Sequence, residues 1–259
     1  MKGCLALLLC VTAAFGQSAA YDRANALFEN GQFDAALTEL DTALHANPRL
    51  VPALTLKAKL AMMINRYDVA RECLDTAVAA DPAGSYPQFL LGFLFYRQDK
   101  MPDAERELQK AQKLNPSDPR SALYLGLTEE TLGRNAEAMA QYERAMRLEK
   151  ATARPDAEAW IACARLLMVE GDLDRAGKLL AEAARIEPNS RDAQFESARL
   201  ALRKGDTAEA IAAGEKALRL RGETADRQIH FLLVEAYRRA GRDAEAARHA
   251  AAIREGESK

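Results

Sequence analysis

Written in rows of 34 residues from Gln17, this 259-residue chain aligns with itself. The twentieth column reads Ala36, Ala70, Ala104, Ala138, Ala176, Ala210 and Ala246 once four residues are inserted before the fifth row and two before the seventh. Alanine makes up 53 of the 259 residues. Seven in one column would therefore arise by chance about once in 10⁵ trials, and the choice of register and gaps consumes two or three of those decades. Other columns restore them. The twenty-seventh reads Ala43, Ala77, Ala111, Ala145, Ala183 and Ala217, failing only at Ile253. The eighth reads Ala24, Ala58, Gly92, Gly126, Ala164, Ala198 and then Val234, and the fifteenth Gly31, Asn65, Asp99, Gly133, Gly171, Gly205 and Gly241. Pro48, Pro82, Pro116 and Pro188 close four rows.

Each column has a mechanical reason. Small side chains at the eighth, twentieth and twenty-seventh places let two helices approach closely, while Leu54, Leu91, Leu125 and Trp160 fill the space beside them. Gly, Asn or Asp at the fifteenth place tolerates the left-handed conformation that ends one helix, and a proline at the thirty-second stops the next. One row is therefore a helical hairpin. Such a hairpin cannot bury its apolar face alone, so consecutive rows must stack. The expected fold is all-α, an α-α superhelix (solenoid) of antiparallel hairpins with a 34-residue repeat.

This pattern is similar to the tetratricopeptide repeat, and the fifth row matches it best through Trp160, Ala164, Gly171, Ala176, Leu180, Ala183 and Pro188. The resemblance covers residues 17 to about 255 and divides them into seven repeats, 17–50, 51–84, 85–118, 119–156, 157–190, 191–226 and 227–259, read as a single domain over 17–259. The fourth row departs from the pattern, with Lys150 in place of the proline and Ala151-Thr152-Ala153-Arg154 lengthening the turn. The sixth carries Gly214 and Gly222 where a bulky residue and a proline are expected. These departures predict a change of superhelical pitch over Lys150–Asp156 and a looser second helix near Gly214, since a mid-helix glycine costs about 1 kcal/mol relative to alanine.

The N-terminus carries a different signal. Met1-Lys2 is a short basic start, Cys4 to Phe15 an apolar run, and Ala14-Phe15-Gly16 presents small residues at the two positions that a signal peptidase reads. The expectation is a signal peptide over 1–16, with a second cleavage site after residue 20, and an exported protein, periplasmic or secreted. The run falls short of the ~20 apolar residues that span a bilayer, so no transmembrane segment is expected. Cys73 and Cys163 remain in the mature chain, too far apart in the repeat register to pair, and are expected to be buried small hydrophobes. The 36 basic and 38 acidic residues are spread evenly, so no nucleic-acid partner is indicated.

No constellation for chemistry emerges. His45 stands six rows from His230 and His249, the latter two lack an accompanying acidic-histidine or cysteine motif, and the glycines sit singly at turns. Neither catalytic residues nor a metal or other cofactor is expected, and the chain is read as non-enzymatic. In the proteins that this sequence resembles, the first helices line a concave face through the second, fifth, ninth, twelfth and thirteenth places. Those places give Tyr21, Asn25, Phe28, Lys59, Met62, Tyr86, Phe89, Phe93, Tyr96, Arg97, Leu127, Arg165, Arg199 and Arg203 as a candidate partner-binding groove. The same map adds Thr55, Arg120, Leu123, Ile161, Met168, Phe195, Leu202, Phe231, Arg238 and Arg239. The family's clamp for a C-terminal carboxylate is not expected, because Tyr21 and Phe89 occupy places that it fills with polar or basic groups.

Two readings of the Tyr86–Tyr96 helix stay open at this level. It is apolar nearly all round, which fits extra core or a groove filled by the chain's own N-terminal segment. It also fits a groove for a peptide or amphipathic helix of a protein partner in the cell envelope, with Phe89 and Phe93 partly solvated. A rival to partner binding is self-association through the Ala-rich last hairpin, giving a homo-oligomer.

Overall fold

The structure, a computed structural model, describes residues 19–256. The expected signal peptide over 1–16 lies outside the described residues. Fourteen helices and no strand occur among them, and none of these helices is long and apolar enough to cross a membrane. The chain divides into two compact units, Met1–Leu132 and Gly133–Lys259.

The first unit holds α1 (19–29), α2 (Phe33–Ala46), α3 (Val51–Met63), α4 (Tyr67–Ala80), α5 (Ser85–Arg97), α6 (Met101–Leu114) and α7 (Pro119–Thr131). The second holds α8 (Asn135–Glu149), α9 (Glu158–Glu170), α10 (Leu173–Ile186), α11 (Arg191–Lys204), α12 (Thr207–Arg219), α13 (Asp226–Arg239) and α14 (Asp243–Gly256). Odd-numbered helices are the first helices of the hairpins. Within a unit a first helix packs on its own second helix and on the second helix of the preceding hairpin, as α5 does on α6 and α4, and α11 on α12 and α10. First helices also meet one another, α3 with α5 and α5 with α7 in the first unit, α9 with α11 and α11 with α13 in the second. That contact places the first helices of each unit in one layer.

The columns do what their chemistry requires. All seven residues at the fifteenth place have a positive φ, from 57° at Asn65 to 89° at Gly171. The backbone there reverses direction in the conformation that glycine adopts without penalty and that Asn and Asp tolerate best among the rest. The alanines of the twentieth and twenty-seventh places are buried from Ala36 to Ala246. At Gly92 even one more carbon would not fit: a Cβ would lie 2.7 Å from Leu108 Cγ and 3.0 Å from the Leu108 backbone nitrogen. Helix starts use prolines in the first turn at Pro52, Pro102 and Pro119, or side-chain caps at Asp118, Asp172, Ser190 and Asp206, which accept orphan amides.

The glycine of the sixth row resolves differently from expectation. Helix α12 runs unbroken from Thr207 to Arg219, and Gly214 is buried within it. A Cβ at Gly214 would lie 2.8 Å from Leu233 Cδ2, so the glycine admits a leucine of α13 instead of loosening the helix. The lengthened turn after α8 is tied down by buried Glu149, whose carboxylate accepts the Asp156 amide at 3.0 Å and the Thr152 hydroxyl at 3.3 Å. The turn before α13 is held in the same way: Asp192 accepts the Thr224 amide at 2.9 Å, and Arg191 donates to the Leu220 carbonyl at 3.1 Å and pairs with Asp226. Cys73 and Cys163 are both buried, as expected of small hydrophobes.

Candidate binding faces

The first-helix layer of the first unit carries a row of rings. Tyr86, Phe89, Phe93 and Tyr96 are spaced three or four residues apart on α5 and so share one face. Tyr86 and Phe89 stack with centroids 6.4 Å apart, and Phe89 and Phe93 with centroids 6.2 Å apart. Tyr124 of α7 closes the row, meeting Phe93 edge-on at 4.8 Å and Tyr96 edge-on at 5.5 Å. Arg120 lies over the Tyr86 and Phe89 rings at 5.0 and 5.2 Å while its Nε donates to Asp118 at 2.9 Å. Burial pushes the Tyr86 phenol above its ordinary range, against the opposing pull of Arg120.

The expectation that Phe89 and Phe93 are both partly solvated holds for one of them. Phe93 is half-buried, but Phe89 is only 5% exposed and belongs to the core shared by α3 to α7. Its ring is covered by Phe93, Tyr124 and Arg120, so it supports the face and does not line it. Met62, Leu123, Met168 and Leu202 are likewise buried, although Leu202 borders an open cleft described below. Tyr86, Tyr96 and Leu127 reach solvent in part. Tyr124 was invisible to the column map because it occupies the sixth place, outside the positions from which the groove was read.

At the start of the first unit Tyr21, Asn25 and Phe28 are half-buried on α1. Asn25 donates to Glu29 at 2.9 Å, and Lys59 places its ammonium 4.9 Å from the Phe28 centroid. Arg97 is exposed at the C-terminal end of α5 and reaches the Tyr67 hydroxyl at 3.4 Å.

The second unit presents charge on the corresponding layer. Carboxylates and guanidiniums alternate along its first helices. Burial, with Asp156 adding its negative charge, pushes the Glu158 carboxyl up to about 7. Burial also raises Glu196, although Arg199 pairs with it at 2.7 Å and pulls the other way. Arg165 lies near enough to favour the charged form of both carboxylates. Farther along, Arg203 donates to the Met168 carbonyl, and Arg239 donates to the Leu202 carbonyl at 3.0 Å. Each of these arginines is thus anchored on the end of the preceding first helix, where the carbonyl dipoles are negative. Between α11 and α13 lies an open cleft of about 470 Å³.

His230 and His249 pack together in the last hairpin. Their Nδ1 atoms lie 2.8 Å apart, and His249 Nε2 lies 3.1 Å from Glu215. Among the described residues no group of His, Cys, Asp and Glu is arranged to hold a metal ion.

The family model for the tetratricopeptide repeat matches the chain at residues 21–85, 55–119, 89–158, 161–225 and 195–258. No curated protein matches the sequence. Among solved structures, PilF of Pseudomonas aeruginosa is similar at 21% identity over 80% of this chain and 93% of its own, with a TM-score of 0.69. A tetratricopeptide repeat protein of Parabacteroides merdae is similar at 14% identity over 93% of both chains, with a TM-score of 0.68. A thermophilic repeat protein of Thermus thermophilus shares 25% identity over 72% of this chain and 99% of its own, with a TM-score of 0.61.

Proposed function

This chain belongs to the tetratricopeptide repeat family, and we propose that it is an exported, non-enzymatic scaffold that binds a peptide or amphipathic helix of a partner protein on its first-helix layer. Tetratricopeptide repeat proteins are generally protein-interaction scaffolds, which supplies the class of activity. The observation that carries the reading is the row of partly solvated rings and guanidiniums on the first-helix layer of each unit. They lie along successive first helices, at Tyr86, Phe93, Tyr96 and Tyr124 in one unit and at Arg199, Arg203 and Arg239 in the other. Rings give contact area at small entropic cost and arginines give direction, the mixture found at binding hot spots.

Export to the envelope rests on the basic start, the short apolar run and the small residues before Gln17. Mass-spectrometric sequencing of protein purified from the envelope fraction is expected to find an N-terminus at Gln17 or Tyr21; Met1 there would overturn the localisation. For binding, affinity purification from that fraction is expected to recover the same partner with the wild-type chain and to lose it when Phe93 and Tyr124 are both changed to serine or when Arg203 and Arg239 are both changed to glutamine. Partner recovery unaffected by either pair would refute the assignment of the face. Analytical ultracentrifugation of the mature chain is expected to report a monomer; a dimer that dissociates on truncation after Gly241 would favour self-association through the Ala-rich last hairpin instead.

A further inference from the structure

A second cleft, of about 390 Å³, opens on the other side of the second unit. It is lined by α10, α11 and the start of α12, with no residue of α9 or α13, so it lies across α11 from the first-helix layer. The repeat explains why it is open. The place after the twentieth-column alanine carries Leu37, Arg71, Glu105, Met139, Ile211 and Ala247 in the other rows, and Gly177 in the fifth. No neighbour fills the gap so left: a Cβ at Gly177 would meet only Leu200 Cδ2 at 3.4 Å and Lys204 Nζ at 3.9 Å. Leu180 and Leu200 form an apolar floor beneath it.

The polar groups at the two ends are not equally spent. At one end Gln194 is 9% exposed, and its carboxamide makes no hydrogen bond among the described residues. A buried amide without a partner is costly, and this one faces the cleft. Ser197, one turn on, already donates to the Ala193 carbonyl at 2.8 Å. At the other end Lys204 is neutralised by Asp174 at 2.9 Å, and Asp206 caps α12 by accepting the Glu209 amide at 3.0 Å. The Glu209 side chain is exposed and has no cation partner among the described residues.

We propose that this cleft binds an extended segment of a protein partner, which lays an aliphatic side chain in the gap at Gly177, pairs a main-chain peptide group with Gln194 and sets a lysine or arginine against Glu209. The proposal rests on the scaffold reading above and adds a second site, on the opposite face from the rings and arginines. A carboxamide carries both a donor and an acceptor, as a peptide group does. The peptide groups of a helix are satisfied internally, so the Gln194 amide selects an extended chain. Gln194 and Lys204 stand ten residues apart on α11, about 15 Å, which four to five extended residues span. Alternate side chains of such a segment point the same way, which places the aliphatic and the basic residue two positions apart. An acyl chain would also fill the gap, but an anionic head would meet the free Glu209 and an already paired Lys204.

Selection of a random dodecapeptide library displayed on phage, run in parallel on the mature chain and on its Gly177→Ile variant, tests this. Isoleucine is what the next row carries at this place, and the room around the added Cβ lets it fill the gap without moving the backbone. The expected result is peptides enriched on the mature chain alone, in which Leu, Ile or Met stands two places from Lys or Arg. A synthetic peptide from that pool, labelled with fluorescein, should lose at least tenfold in affinity on Gly177→Ile and on Gln194→Leu. It should lose several-fold on Glu209→Gln and on raising salt from 50 to 300 mM, and should bind R203Q/R239Q as it binds the mature chain. Circular dichroism and the thermal midpoint show whether Gly177→Ile keeps the fold. If it does not, Gln194→Leu, which only removes an unpartnered amide, and the exposed Glu209→Gln must still show the stated losses. Equal enrichment on both chains, enriched peptides without a basic residue, or binding lost on replacing Phe93 and Tyr124 but not on Gly177→Ile would overturn this site and leave the scaffold reading intact. Enrichment of no peptide on either chain would take both down. Displacement of the peptide by an equal concentration of myristate would overturn the peptide assignment in favour of an acyl chain.

Discussion

Replacing two helical glycines by the same residue should move stability in opposite directions. Gly92 lies inside α5 and Gly177 inside α10. In both places alanine gains about 1 kcal/mol from helix propensity and the reduced freedom of the unfolded chain. The surroundings then decide. At Gly177 an added Cβ would lie 3.4 Å from Leu200 Cδ2 and 3.9 Å from Lys204 Nζ, which is ordinary contact with the ends of side chains that can shift. At Gly92 it would lie 2.7 Å from Leu108 Cγ and 3.0 Å from the Leu108 backbone nitrogen, so α6 itself must move. Overpacking of this kind costs about 1–3 kcal/mol.

The expected balance is therefore a gain of up to about 1 kcal/mol for Gly177→Ala and a loss of up to about 2 kcal/mol for Gly92→Ala. One kcal/mol shifts the midpoint of a domain of 150–250 residues by about 2–4 °C, so thermal unfolding followed at 222 nm resolves the difference. Repeat arrays need not unfold in one step, and native-state hydrogen exchange assigns each change to its own unit: slower exchange in α9 to α11 for Gly177→Ala, faster exchange in α4 to α6 for Gly92→Ala. A higher midpoint for Gly92→Ala, or a fall of more than 2 °C for Gly177→Ala, would refute the claim that helix contact distance sets the small-residue columns.

Phe89→Ser should cost about 3–5 kcal/mol, as for other buried phenylalanines, and Phe93→Ser about half as much, measured by urea denaturation; equal costs would contradict the division between supporting ring and surface ring. Gly171→Ala should cost about 1–2 kcal/mol through its φ of 89° alone, because nothing lies within 4 Å of the added carbon, and its urea midpoint should be restored by Gly171→Asn more than by Gly171→Val. The second unit should respond to pH through two groups of opposite sign. Glu158, raised to about 7, holds its proton where the unfolded chain has lost it, so its contribution declines as pH rises from about 4.5 to 7, and Glu158→Gln should raise the urea midpoint at pH 8 but not at pH 4. His230 is lowered by burial and by His249, so its contribution is complete above about pH 6.5 and is lost on acidification through the folded value. His230→Gln should flatten that acid limb, and an unchanged limb would exclude the histidine pair as its source.

Three phenylalanines at the fifth place of their rows show what the sequence could and could not disclose. Phe89, Phe195 and Phe231 occupy the same position of the repeat, yet the first is 5% exposed, the second half-buried and the third 52% exposed. The repeat specifies on which face of its helix each ring lies, because that depends on spacing within one hairpin. Exposure depends on what the next first helix brings across. Phe89 meets Tyr124 of α7 at 5.8 Å and Arg120 at 5.2 Å. Phe195 packs against the buried residues of α13, and among the described residues no further first helix follows α13 to cover Phe231. The same logic governs Gly214, where the sequence reports a missing side chain but not the Leu233 that fills its place, and Arg203 and Arg239, whose recurrence is visible but whose carbonyl partners are not. Fold, turn positions and small-residue columns are local to a hairpin and were legible. A binding face is a property of neighbouring hairpins, and it follows that single rows grafted from this chain would keep their fold signals while losing the contrast between covered and open rings on which recognition depends.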